Sequence, residues 1–319
     1  MKISRKIFIS MIAVIFAVIA LGASTFAWFN LTTTNTINDV SMSVRTEYGL
    51  EVSFDNVNWK SSLKDTDFDF WTDGQKLDSV TSTDGKTFTD KSKADVTGGS
   101  TYVHFALYFR AEYITHNMLT NGHVGVYLVD KISGADVTDA VTDGTGITST
   151  GVSWSPDVPF EYSDGVNYDL STPEATYYAA SAARLSTESF GWDAVAHDGS
   201  SSVGVPSVFD LSDATSVSRG YGYTYGAFAY YNAKMDNSLN DIESTGPSTI
   251  TTLSTINATT VIANDNTSLI CTLVEDDGMY YGKVNIALWL EGWDGDCFDA
   301  VFDDEVTSKL KFIVAGIAA

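Results

Sequence analysis

Several segments of this chain alternate apolar and polar residues with a period of two, the spacing of a β-strand with one buried face. The clearest is residues 102–110, where Val103, Phe105, Leu107 and Phe109 form one apolar face. The alternation recurs near the C terminus, at Val284, Ile286, Leu288 and Leu290 and then at Leu310, Phe312 and Val314. Because a helix needs apolar residues every three or four positions, this pattern predicts an all-β chain.

Gly, Asp, Asn and Ser separate these segments, as expected for turns between short strands. The sequence Asp276-Asp277-Gly278 predicts a hairpin turn between two of the strands. Short strands with regular turn signals favour a β-sandwich with jelly-roll or Greek-key connections and long loops.

One short helix is predicted inside this β pattern. Ser171 or Thr172 would cap it, Pro173 fits the first helical position, and it would end near Ala182. The residues around it are rich in Gly, Asp, Thr and Ser, so a loop-rich insertion is expected at about 131–265.

The N terminus has the pattern of a secretory signal, with the basic segment MKISRK followed by the apolar run 7–23. Small residues at Thr25 and Ala27 predict cleavage between Ala27 and Trp28. This divides the chain into a signal peptide, 1–27, and a single secreted domain, 28–319. A cut after Ala20 would fall inside the apolar run, and the remaining alternative is an uncleaved anchor with Trp28 at the membrane interface. Either fate places residues 30–319 outside the cytoplasm, at the cell surface or beyond it.

The segment Thr-Phe-Ala-Trp-Phe, residues 25–29, resembles the signal of the camelysin and TasA-like exported proteins of Gram-positive bacteria. Those signals are processed by an endoplasmic-reticulum-type signal peptidase. The segments GLEVSFDNVNW, SAARLS and IALWLEGWDGDC occur in that order in exported proteins of Firmicutes, and the WLEGWDxDC element is the most specific of them. The resemblance implies a β-protein of the surface or biofilm matrix and implies no catalytic activity.

The charge balance is strongly acidic beyond the signal, with 15 basic and 41 acidic residues. Such a field repels nucleic acid and anionic lipid, so no nucleic-acid partner is expected, and membrane contact only through the signal before cleavage. Calcium is the cofactor that the acidic loops suggest. The predicted ligands are Asp294, Asp296, Asp299 and Asp303, and the alternative is a solvated acidic loop.

The chain has two cysteines, Cys271 and Cys297, and an even count in an exported protein suggests one disulfide. The bond requires the segment after the predicted strand to turn back along it. Free thiols or an intermolecular bridge are the alternatives.

Motifs of catalysis are absent from the sequence: there is no HExxH, GxSxG, P-loop or dinucleotide fingerprint. Glu291 with Asp294 or Asp296 would supply a pair of glycosidase acids, but chance pairs are expected among 41 acidic residues. Aromatic residues would form a sugar platform or simply pack across strands; they are Tyr280, Tyr281, Trp289 and Trp293.

These observations predict a structural protein, not an enzyme, that self-associates into oligomers or fibres. The segment after the cleavage site alternates Phe29, Leu31 and Thr33, which makes it a candidate donor strand for the sheet edge of a second copy. The alternatives are a monomeric surface adhesin or carbohydrate-binding module and, third, a hydrolase.

Overall fold

The computed structural model describes residues 35–44, 49–64, 67, 75–90, 94–99, 101–112, 114, 123–129, 132–133, 145–204, 206–212, 220–234, 250–257 and 260–318. The predicted signal peptide, the cleavage site at Ala27 and Trp28, and the donor-strand residues Phe29, Leu31 and Thr33 lie outside these residues. Among the described residues, no helix has the length and apolar character that a membrane span needs.

The described chain is mostly β-strand, so the all-β prediction is confirmed. The sandwich, jelly-roll or Greek-key assignment stays a prediction. The strands are β1 Asn35–Val44, β2 Leu50–Ser53, β3 Ser62–Leu63, β4 Gln75–Leu77, β5 Ser79–Val80, β6 Phe88–Thr89, β7 Asp95–Val96, β8 Val103–Ala111, β9 Val124–Leu128, β10 Ile132–Ser133, β11 Gly146–Ser149, β12 Val152–Trp154, β13 Phe160–Ser163, β14 Val166–Tyr168, β15 Ala175–Tyr177, β16 Ala183–Asp193, β17 Asp198–Ser202, β18 Ser207–Phe209, β19 Ile256–Asn257, β20 Leu269–Asp276, β21 Met279–Glu291 and β22 Glu305–Gly316.

Fourteen strands form one sheet, with the order β17-β16-β21-β20-β9-β22-β1-β3 along its main path. Strand β20 pairs with β21 at its C-terminal end and with β9 along the rest of its length. It therefore joins two parts of the sheet, one formed by β8, β16 and β21 and the other by β1, β9 and β22. On its other side β21 pairs with β8 over nine residues. Phe109 of β8 meets Phe312 of β22 with ring centroids 5.1 Å apart, so the two parts share a core.

The core contains the apolar faces predicted from the alternation. The four residues of β8, the four of β21 and the three of β22 named above are all buried. The hairpin at the end of β20 is also confirmed: Asp276 pairs with Met279 around a two-residue turn. Asp277 has φ 50° and Gly278 has φ 82°, the left-handed conformations that such a turn requires.

Strand β1 lies parallel to β22 and pairs with it from Thr36–Glu305 to Val44–Phe312, with a one-residue shift of register between Ile37 and Asp39. Its other edge pairs with β4 and β3. The region predicted as a loop-rich insertion contains a central strand of the main sheet. This strand is β16, which has eleven residues and pairs with β21 over eight of them.

The predicted helix at 173–182 is wrong. Ala175–Tyr177 forms β15, which pairs with β12, and only a 3-10 turn follows at Ala179–Ala182. The Ala179 amide donates to the buried carboxylate of Asp304 at 2.8 Å, and strand pairing outweighs the weak local helix signal.

The α-helix of the described residues is α1, Ala227–Lys234, in an aromatic run. Gly226 precedes it at φ 65°, where a side chain would lie 2.2 Å from the Gly295 carbonyl oxygen. The close approach that docks this helix therefore requires glycine.

Candidate binding cleft

A cleft of about 290 Å³ opens where two hairpins and one loop meet. The hairpins are β16–β17 and β20–β21, and the loop follows β2. Because the β16–β21 and β20–β21 ladders are antiparallel, they bring the end of β16 beside the β20–β21 turn. The residues that line this cleft are Asn56, Trp59, Trp192, His197, Asp276, Asp277 and Tyr281.

Asp276 is the central polar residue of the cleft. Its side chain is 5% exposed. Its Oδ2 accepts hydrogen bonds from Trp192 Nε1 at 2.9 Å and from His197 Nδ1 at 2.8 Å. The bond from the Trp192 indole, followed by that from the imidazole, lowers the pKa of Asp276. The carboxylate therefore stays ionised and is held in one orientation.

His197 lies in the turn between β16 and β17, with φ 51°. Its carbonyl oxygen accepts a hydrogen bond from Asn56 Nδ2 at 2.9 Å, which ties this turn to the loop after β2. The imidazole is 59% exposed, and its bond to Asp276 raises the pKa of His197. One ring nitrogen thus contacts the protein, and most of the ring faces solvent.

Three aromatic side chains form one wall of the cleft. The rings of Trp192 and Tyr281 are stacked, with centroids 5.0 Å apart and planes 10° apart. Trp59 meets Tyr281 edge-on at 6.0 Å. The guanidinium of Arg110 lies 4.6 Å from the Trp59 ring centroid, and its Nε donates to Glu51 at 3.0 Å. Arg110, whose charge is neutralised by Glu51, therefore packs on the Trp59 ring and helps to hold the wall in place.

The electrostatic character of the cleft is anionic. Asp276 and Asp277 line it, and the charge of Asp193 also acts on His197. Of the seven lining residues, His197 is the one that can become a cation. The arrangement can stack a flat apolar ligand face on the aromatic wall, accept hydrogen bonds through carboxylate and amide oxygens, and hold a cation.

The predicted calcium ligands are placed in different surroundings at the far end of β21. Asp294 is fully buried and forms an ion pair with Arg184, and its Oδ1 accepts from the Asp296 amide at 2.9 Å. Asp299 accepts from Tyr230 Oη at 2.6 Å. Asp303 is exposed, at φ 67°. Calcium binding there stays a prediction. Arg184 and the Asp296 amide already bind Asp294, whereas Tyr230 and Lys234 bind only Oδ2 of Asp299, and its buried Oδ1 has no hydrogen-bond partner among the described residues.

The predicted disulfide between Cys271 and Cys297 is wrong, because both cysteines are free and buried. Cys271 Sγ packs against Gly282, whereas Cys297 Sγ lies 3.3 Å from Ser79 Oγ. Ser79 pairs with Leu290, eight residues along β21 from Gly282. At about 3.3 Å per strand residue the two thiols are separated by roughly 26 Å along the strand.

Two other sequence-based site predictions concern the same strand. Of the four residues in the predicted sugar platform, Trp289 and Trp293 are buried and Tyr280 packs against the core, so only Tyr281 reaches the cleft. Glu291 is fully buried and accepts hydrogen bonds from Trp289 Nε1 and the Trp293 amide. As a glycosidase acid, it has no path to a substrate in this structure.

Sequence reasoning missed most of the cleft, since its residues come from positions 56 to 281. The local signal that pointed to it was the Asp277-Gly278 turn, which fixed where Asp276 and Asp277 would lie. Comparisons with protein-family models, with curated proteins and with solved structures each find no match to this chain.

Proposed function

We propose that this protein is a secreted structural protein of the cell surface or extracellular matrix that self-associates into oligomers or filaments. The export pattern at the N terminus, the acidic chain and the all-β fold support this proposal. It acts through binding and assembly and not through catalysis.

The observation that carries the proposal is the position of β1. This N-terminal strand is paired with the C-terminal strand β22, so it enters the sheet through contacts that are distant in sequence. A strand held in this way can be supplied by a second copy of the chain without loss of hydrogen bonds. In the proposed assembly, residues 28–38 form or extend the donated strand.

Truncation tests this assembly. A variant lacking residues 28–38 loses the predicted donor strand and the start of β1, including Thr36 and Ile37, which pair with both β22 and β4. We expect it to stay monomeric by light scattering and to form no filaments in negative-stain micrographs, while its circular dichroism remains that of a β-protein. A variant that begins at Asn35 lacks the predicted donor residues Phe29, Leu31 and Thr33 but keeps β1 whole. It therefore separates the contribution of the donor segment to assembly from that of β1. Filaments formed by the 28–38 deletion would refute the donor-strand assembly.

A second candidate function, a carbohydrate-binding surface module, is favoured by the cleft. The stacked Trp192–Tyr281 pair beside Trp59 offers an aromatic surface to a sugar ring, and Asn56 and Asp277 offer polar atoms at its rim.

A glycan array tests this candidate. We expect the intact protein to retain a subset of glycans and the variants Trp59→Ala and Trp192→Ala to lose them. Tyr223→Ala is the matched control, because Tyr223 is an aromatic residue, 47% exposed, that does not line the cleft. Equal retention by all variants, or no retention by the intact protein, would exclude a glycan site in the cleft.

A further inference from the structure

The side chains of His197, Asp276 and Asp277 each present one potential metal-ligating atom, and these three atoms lie within 4.8 Å of one another. They come from the turns of two different hairpins, so the arrangement is a product of the fold and not of one acidic loop. We propose that these three residues form a binding site for a divalent transition-metal ion such as Zn²⁺. The proposal is independent of the assembly and of glycan binding.

The donor set decides the class of ion. One imidazole nitrogen and two carboxylate oxygens suit Zn²⁺ and its neighbours Ni²⁺ and Cu²⁺. Ca²⁺ prefers six to eight oxygen ligands, and Mg²⁺ binds few protein ligands and keeps its waters. The cleft therefore favours Zn²⁺ over both of the hard cations.

The surroundings orient the ligands as outer-shell partners do in metal sites. The Trp192 indole donates to Asp276 at 2.9 Å and fixes the carboxylate, and Asn56 holds the backbone of His197 at 2.9 Å. Nδ1 is the imidazole nitrogen that faces Asp276, 2.8 Å from its Oδ2, so an ion held by all three residues would bind Nδ1 in place of the proton that now bridges His197 and Asp276.

Charge and exposure also fit a bound cation. Two carboxylates face one imidazole, Asp193 adds negative potential at His197, and the Arg110 guanidinium behind the aromatic wall is paired with Glu51. Asp277 and His197 are both exposed, so water would complete the coordination on the open side. The site would thus have three protein ligands and an open position.

Isothermal titration of the tag-free protein with ZnCl₂ tests the proposal. We expect saturable binding of one ion per chain, with no comparable heat from CaCl₂ or MgCl₂ at the same concentrations. His197→Ala and Asp277→Asn should each weaken Zn²⁺ binding at least tenfold. Asn tolerates the left-handed conformation of position 277, so the turn should be preserved.

Matched controls are available elsewhere on the surface. His123→Ala and Asp303→Asn change exposed residues outside the cluster and should bind Zn²⁺ as the intact chain does. Trp192→Phe keeps an aromatic ring but removes the donor to Asp276, and it should weaken binding by about 10- to 100-fold. Absence of saturable binding, or undiminished binding by folded His197→Ala and Asp277→Asn proteins, would overturn the proposal.

Discussion

The acidic segment between β21 and β22 and the cleft at the opposite end of β21 are both rich in carboxylates, yet their charges are balanced in different ways. In the segment, the fully buried Asp294 pairs with Arg184, itself 2% exposed, and Asp299 is bound by Tyr230 and Lys234. In the cleft, Asp276 is bound only by neutral indole and by an imidazole, and Asp277 faces solvent. Acid-rich sequence therefore does not show by itself which carboxylates are neutralised; the tertiary position of a cationic side chain decides it.

Removing the cation from the buried segment should give the largest effect. Arg184→Met leaves Asp294 buried without its ion-pair partner, and we expect a loss of about 3–5 kcal/mol in the free energy of unfolding. Urea denaturation at neutral pH measures it. The double variant Arg184→Met/Asp294→Asn should recover part of the loss, since the buried charge of Asp294 is gone while Asp210, 3.5 Å from Arg184 Nη1, still loses its partner.

The control for this experiment is the partly exposed pair Arg110–Glu51 in the wall behind the cleft. Arg110→Met should cost about 1–2 kcal/mol, because a partly exposed ion pair contributes about 1 kcal/mol or less and the contact with the Trp59 ring adds about 0.5–1 kcal/mol. Equal losses for the two arginine variants would contradict the contrast between the two regions.

The sequence predicted the interior of this molecule better than its sites. Strand alternation is a local property, so the buried faces of β8, β21 and β22 followed from it directly. The partner of a carboxylate is a tertiary property. Nothing around Arg184 in the segment SAARLS indicates that it meets Asp294, 110 residues away.

The same limit explains the errors. The helix prediction at 173–182 used local capping signals, and the pairing of β15 with β12 overrode them. The disulfide prediction used the even number of cysteines and the length of the chain between them. In the structure, the two thiols lie beside opposite ends of β21 and are too far apart to bond. The Asp277-Gly278 turn was predictable because the turn geometry is encoded in two adjacent residues.

Tyr230→Phe should have a smaller effect in the buried segment. The Tyr230 ring packs against Phe160 and Phe298, at 5.1 and 5.3 Å, and its hydroxyl binds Asp299 at 2.6 Å. Burial raises the pKa of Asp299, so loss of this donor leaves a poorly solvated carboxylate. We expect a loss of about 1–3 kcal/mol in thermal or urea unfolding.

Tyr168→Phe serves as the control for this substitution. The Tyr168 ring stacks on Tyr162 with centroids 4.1 Å apart, and this stack survives the loss of the hydroxyl. The free energy of unfolding of the Tyr168→Phe variant should differ from that of the intact protein by about 0.5 kcal/mol or less. If Tyr230→Phe is as mild, the hydroxyl is not a significant partner of Asp299.

Acid should distinguish buried carboxylates from turn carboxylates. Hydrogen bonds from the backbone amides of Asn58 and Val57 lower the pKa of Asp55. The ionised carboxylate therefore stabilises the folded state above the unfolded pKa of 3.8, and this stabilisation is lost as pH falls further. Burial raises the pKa of Glu291 and Asp299, so their protonation relieves a cost as pH falls from neutral. Stability should hold or rise down to about pH 4.5 and fall below about pH 3.8.

Urea midpoints between pH 7 and pH 2.5 would record this profile. Asp55→Asn removes one of the turn carboxylates and should flatten the decline below about pH 3.8. Burial lowers the pKa of His104, which removes stability as pH falls below about 6.5, so the profile should be repeated with His104→Gln. A steady loss of stability from about pH 7 to pH 5 that persists in this variant would show that the buried carboxylates do not behave as described.

Reduction should have no effect on stability, because Cys271 and Cys297 are free thiols at opposite ends of β21. Burial raises the pKa of both Cys271 and Cys297 to about 12, so the folded protein should react slowly with a thiol reagent. After unfolding without reductant, two thiols per chain should titrate, and dithiothreitol should leave the melting temperature unchanged. A disulfide closing this loop would contribute about 3.5 kcal/mol. A clear drop in melting temperature with reductant would therefore show that the two ends are linked, contrary to the roughly 26 Å that β21 places between them.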